Sequence, residues 1–127
     1  MYGNAGAYNA YNQNNIQVES PYKLIEMMYE GILRFSMQAK KSIRENNVEK
    51  KIYWINRITN IFIELLNSLD MDAGGDISHY LNGLYSYQLQ TLSEANIENN
   101  EEKIDGVIKV VKGLLEAWRE TTKNEMD

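Results

Sequence analysis

The sequence predicts an all-α protein, an antiparallel up-down-up-down four-helix bundle with an N-terminal segment packed against it. Three observations carry this. A single proline, Pro21, leaves almost nothing later in the chain to interrupt helices. Apolar residues recur at helical spacing in four successive stretches, with no strand-like alternation between them. The breaks are short, at Asn46-Asn47, Asp70 to Gly75 and Asn99-Asn100. Short connections between long helices force antiparallel neighbours. A chain of 127 residues with 43% apolar and 24% charged side chains is enough for one domain with a real core. Residues 1–19 are expected to form a tail, and residues 20–127 the helical bundle.

The first helix opens at Ser20-Pro21, a capping hydroxyl followed by proline at the first helical position. It runs to about Glu45, with Leu24, Ile25, Met28, Ile32, Phe35, Ala39 and Ile43 on one face. Asn46-Asn47 breaks it, and Asn47 can cap a second helix from Val48 to Leu69. The segment DMDAGG is a loop by its two glycines. Asp76 is placed as the cap of a third helix that reaches about Ala95. Asn99-Asn100 opens the fourth, where Glu102 stands three residues after Asn99 as in a capping box. Ile104, Val107, Val111, Leu114 and Trp118 then step 3-4-3-4, the spacing of a bundle seam.

Charge narrows the function. The net charge is −5, and no Lys or Arg occurs from Ile58 to Glu102. Nucleic acid and anionic membrane need clustered cations, so neither is expected as a partner. No apolar run approaches the roughly 20 residues of a membrane span. The first basic residue is Lys23, so the tail reads as neither a secretory signal nor a mitochondrial presequence. With no cysteine and a single histidine, His79, there is no zinc set and no Ser/His/Asp set to argue. Asp76-x-x-His79 has a helical metal spacing, but the di-iron bundles need two Glu-x-x-His pairs. No enzyme, metal or cofactor is expected.

What the sequence has in excess is apolar surface. A bundle helix needs an apolar arc somewhat above 100°. The second helix spreads Ile52, Ile55, Phe62, Leu66 and Leu69 to one side, and Trp54, Ile58, Ile61 and Leu65 to the other, over roughly 200° of a helical wheel. Either two neighbours bury this arc or part of it faces a groove. The first helix adds Tyr22, Tyr29, Leu33 and Met37 on the side away from its core face. The third has no Asp, Glu, Lys or Arg from Ile77 to Ser93. Such a face suits being covered rather than solvated. In the fourth, Gly106, Val110, Gly113 and Ala117 make a shallow strip of small residues, as if a neighbouring helix or a partner came close to the backbone.

Several strings occur together. AYNAYNQNNIQVESP leads into KLIEMMYEGILRF, SLDMDAGGDIS joins helices two and three, LNGLYSYQL precedes TLSEAN, and LLEAW stands near the end. In this order and spacing they resemble the flagellar export chaperone family FliS across essentially the whole chain. The resemblance implies a helical bundle with an N-terminal segment laid against it. It also implies a cytoplasmic chaperone that uses no ATP. The client would be the C-terminal helical segment of flagellin, kept from premature polymerisation and delivered to the flagellar type III export gate.

On that reading the helical faces nominate client anchors: Ile55, Ile58, Ile61, Phe62 and Leu65 from the second helix, with Tyr80, Tyr85, Tyr87 and Leu89 from the third. Tyr22, Tyr29, Leu33 and Met37, with Gly106, Val110, Gly113 and Ala117, would form a second groove. The tail has tyrosines at 2, 8 and 11, five asparagines through Ser20 and one charge, Glu19. Tyr8 and Tyr11 can share one side of a helical turn, and Ile16 and Val18 alternate in an extended run. They would act as a removable lid over an empty groove. Two alternatives use the same surfaces. One is a homodimeric helical module. The other is a regulatory adaptor whose client is a co-chaperone or an anti-sigma factor.

Overall fold

The computed structural model describes residues 20–126. They form four helices: α1 (Pro21–Arg44), α2 (Val48–Asn67), α3 (Gly75–Glu98) and α4 (Glu101–Met126). Ser20 is extended, and its Oγ accepts from the Lys23 N–H at 3.1 Å, with Pro21 at the first helical position. The hydroxyl satisfies a donor that the helix leaves free.

Two Asn-Asn turns do the same job twice. Asn46 is left-handed (φ 56), and the Asn47 N–H reaches back to Ser42 O at 2.9 Å to close α1. The Asn47 side chain then caps α2 by accepting from Lys50 N–H at 3.1 Å. Likewise Asn99 is left-handed (φ 52), and Asn100 N–H bonds Ala95 O at 3.0 Å. Asn100 Oδ1 accepts from Lys103 N–H at 3.3 Å to start α4. The expected Asn99/Glu102 capping box is therefore corrected. Asparagine tolerates the left-handed region, so the first of each pair ends one helix and the second opens the next.

The α2–α3 loop also departs from expectation. Asp76 lies inside the first turn of α3 and caps nothing; Gly74 holds the cap position with no side-chain bond. Asp70 organises the loop instead, its Oδ1 accepting from the N–H groups of Asp72 (3.1 Å) and Ala73 (2.9 Å). A β-carbon on Gly74 would fall 2.5 Å from Asp70 O and 1.7 Å from Ser78 Oγ, so only glycine fits that approach. Helix α2 ends at Asn67, where Ser68 Oγ donates to Leu65 O at 2.7 Å.

Each helix packs on two others around a ring, α1 on α2 and α4, and α3 on α2 and α4. The end contacts fix antiparallel directions. Trp118 Nε1, near the end of α4, donates to Tyr22 O at 2.9 Å, at the start of α1. At the other end, Lys40 Nζ meets Asp105 at 2.7 Å, and Arg44 pairs with Glu101. Lys51, buried at the start of α2, donates to Asn96 O (2.9 Å) and Asn99 Oδ1 (2.6 Å) at the close of α3. A cation there complements the helix dipole. The core holds Leu24, Met28, Ile32, Ile58, Phe62, Leu92, Ile104, Val107 and Val111. Leu115 completes the α4 seam, while Leu114 and Trp118 pack half-buried beside it.

Candidate partner-binding surface

Helix α3, uncharged from Ile77 to Ser93, turns one side inward and leaves the rest open. Tyr85, Gln88, Leu92 and Ala95 face the core. Tyr80 and Tyr87 are 64% and 65% exposed, and Ile77 and Ile97 are exposed as well. Tyr80, Tyr87 and Glu94 stand seven apart and so share one side. Lys103 of α4 bonds Glu94 at 2.6 Å, which turns that side toward α4. This bond holds the Glu94 carboxyl below the usual carboxylate range.

Across this groove runs the small-residue strip. Val110 and Ala117 follow Lys103 at heptad steps, so they border α3 too. Val110 is half-buried, and Gly106, Gly113 and Ala117 are exposed. A β-carbon on Gly106 or Gly113 would meet nothing within 4 Å among the described residues. No helix of the bundle is the neighbour that the strip implied. On its other flank α3 borders α2. There Val48, Ile52 and Ile63 are exposed, on the side opposite Trp54, which packs on Phe35 of α1. Apolar surface thus lies on both flanks of α3.

Several nominated residues are elsewhere. Ile55, Ile58, Phe62, Leu65 and Tyr85 are core residues, each at most 3% exposed, and are not surface anchors. The wide arc of α2 is largely consumed by α1, α3 and the bundle centre. Ile61 and Leu89 are half-buried against the core. Tyr29, expected on an outer strip, is buried too. Its hydroxyl meets that of Tyr85 at 2.6 Å, joining the diagonal helices α1 and α3 through the core. A wheel places side-chain roots and cannot foresee that two phenols will satisfy each other. Burial pushes both phenols above their ordinary pKa. Leu33 is half-buried, Met37 is exposed, and the half-exposed Tyr22 packs its ring on Trp118 at 5.7 Å. These α1 residues lie away from the α3 groove, so the expected second groove divides. Its α4 half joins Tyr80 and Tyr87. The lid residues Tyr8, Tyr11, Ile16 and Val18 lie outside the described residues. Among the described residues no three His, Cys, Asp or Glu side chains gather as a metal set, and no helix is long and apolar enough to cross a membrane.

Fold and surface together define a four-helix bundle with open grooves flanking a helix whose middle, Ile77 to Ser93, carries no charge. The family model described as flagellar protein FliS matches residues 4–125. The chain is 59% identical over 119 residues to the flagellar secretion chaperone FliS of Campylobacter jejuni, covering 94% of this chain and 93% of that protein. It is 28% identical to its counterpart in Vibrio cholerae (93% and 88% covered) and 29% identical to that of Bacillus subtilis (93% and 87%). A crystal structure described as a flagellar chaperone from bacteria shares the fold at TM-score 0.77 and 22% identity, covering 94% of this chain and 98% of that one. The chain belongs to the FliS family of flagellar secretion chaperones.

Proposed function

We propose that this chain binds the C-terminal helical segment of flagellin in the bacterial cytoplasm, keeps it from polymerising early and delivers it to the flagellar type III export gate. One observation carries the site. Helix α3 exposes Ile77, Tyr80 and Tyr87 along a run with no charge from Ile77 to Ser93, and Ile97 beyond it. An amphipathic client helix would lie on its flanks, against Gly106, Val110, Gly113 and Ala117 on one side and Val48, Ile52 and Ile63 on the other. Tyrosine suits the work, burying large area while keeping a polar tip in reach of water. A disordered client loses conformational entropy on binding, so a long wrapped contact is needed. Residues 1–19 act as a lid that leaves when the client arrives.

Co-purification with a flagellin C-terminal fragment, with and without its terminal helices, tests the client. The site is tested by Tyr80→Asp with Tyr87→Asp, both exposed and tolerable to the fold. Affinity should fall about tenfold or more, as for loss of aromatic interface anchors. A folded double variant that binds as the wild type would sink this site. Deleting residues 2–15 should change client affinity or the aggregation of the free chaperone; no change in either removes the lid.

A further inference from the structure

The face formed by α1 and α2, opposite the α3–α4 groove, follows a different chemistry. Phe35 and Trp54 stack with centroids 5.3 Å apart, and Tyr53 meets Trp54 edge-on at 4.9 Å. The Arg57 guanidinium carbon lies 4.6 Å from the Phe35 centroid, 5.6 Å from Tyr53 and 6.0 Å from Trp54. Its Nη1 donates to Tyr53 Oη at 3.0 Å. Arg34 approaches the same Phe35 ring, at 5.6 Å. Beside Tyr53 and Trp54 opens a cleft of about 210 Å³, walled also by Lys41, Lys50, Gln38 and Glu45.

Four cations share this face, Arg34, Lys41, Lys50 and Arg57, and none forms an ion pair among the described residues. Lys23, Lys40, Arg44, Lys103 and Arg119 are paired, while among the described residues Lys51, Lys109 and Lys112, like these four, are not. What sets the four apart is that they gather on one aromatic face. Arg57 is also held by its aromatic rings with donors to spare. Less rotamer freedom is then lost when a carboxylate accepts from its fork.

We propose that this face is a second docking site, for an acidic amphipathic segment of a partner protein that sets one apolar side chain among its carboxylates. The carboxylates meet Arg34, Arg57, Lys41 and Lys50, and the apolar group enters the cleft against Trp54. Glu45 lines the cleft as well, so the face is not a continuous positive surface. A nucleic-acid backbone or an anionic bilayer needs continuity, whereas a short segment needs only matched points. The site lies off the α3 grooves, so it and flagellin binding stand or fall separately.

Trp54 reports on the site directly. The probe is a synthetic helical peptide of repeated Glu-Glu-Ala-Leu, with a Lys-for-Glu peptide as control. In a Trp118→Phe background, Trp54 is the remaining tryptophan, and its fluorescence should shift saturably with the acidic peptide and not with the basic one. In the wild-type chain the Trp54 indole N–H resonance reads the same event without the background substitution. Arg57→Gln, or Lys41→Gln with Lys50→Gln at exposed positions, should weaken the acidic peptide about tenfold and leave the flagellin fragment bound as before. Three results overturn the proposal: equal response to both peptides, an affinity indifferent to these substitutions, or stronger capture by phosphatidylserine vesicles. Self-association that Arg57→Gln abolishes would give the face to a second copy and overturn it too.

Discussion

The α1–α4 seam and the outer face of α3 belong to one bundle and are built by opposite rules. The seam is tied by charge at both ends. Arg119 reaches Glu26 at 2.8 Å and Glu30 at 2.7 Å at one end, and Lys40 and Arg44 meet Asp105 and Glu101 at the other. Hydrogen bonds from Lys23 and Arg119 hold the Glu26 carboxyl below the usual carboxylate range. Along α3 there is one comparable tie, Lys103 to Glu94 and more distantly to Glu98, beyond the uncharged run. Surface ion pairs add little stability each, so the contrast is less about strength than about availability. Paired charges hold their water and partner and resist being covered. The rings of Tyr80 and Tyr87 and the Ile97 side chain have no ion pair to break when a client displaces the water over them.

If the core is common scaffold and the α3 face is spare surface, damage to each should read differently. The largest effect is expected at Phe62, fully buried at the ring's centre. Phe62→Ala should cost about 3–5 kcal/mol. Urea denaturation measures it, with client affinity per folded molecule unchanged. A loss of only a few tenths would mean that Phe62 is not the core residue its burial implies.

Next comes the polar link across the core between Tyr29 and Tyr85. Tyr29→Phe or Tyr85→Phe alone strands the other hydroxyl, at about 1–3 kcal/mol. The double variant removes both partners and should recover much of that loss. Additive losses in the denaturation cycle would show that the 2.6 Å contact is not a coupled pair.

That pair also marks what the sequence made legible. Local signals were plain: Ser20-Pro21, the Asn47 cap and the α4 seam through Val111 all stand where the pattern put them. These depend on a few adjacent residues. Tyr29 and Tyr85 were not legible as core, because a polar tip on a wheel reads as surface until its partner is known. Lys51 was hidden for the same reason; its acceptors, Asn96 and Asn99, come from another helix. Asp76, expected to cap α3, caps nothing, while Asp70 holds the loop by accepting from the Asp72 and Ala73 N–H groups, a contact that depends on how the loop folds back. The neutrality of α3 was legible at once. Which of its tyrosines face out required three dimensions.

The smallest effect separates scaffold from client surface most cleanly. Gly113 sits inside α4, where glycine is less favourable than alanine by about 1 kcal/mol. Nothing lies within 4 Å of where its β-carbon would stand, so the free chaperone has no use for the missing methyl group. Gly113→Ala should therefore raise stability by about 0.5–1 kcal/mol, read as a higher urea midpoint. A client helix seated on the strip would meet that methyl, and its affinity should fall although the chaperone is more stable. Gly83, equally open but between Tyr80 and Tyr87 on the proposed client face, calibrates the gain in stability only and not the affinity. Gly83→Ala should stabilise to a similar degree. If both variants gain stability and Gly113→Ala binds flagellin as before, the client does not approach α4 closely. The groove would then be used from the α2 flank, against Val48, Ile52 and Ile63.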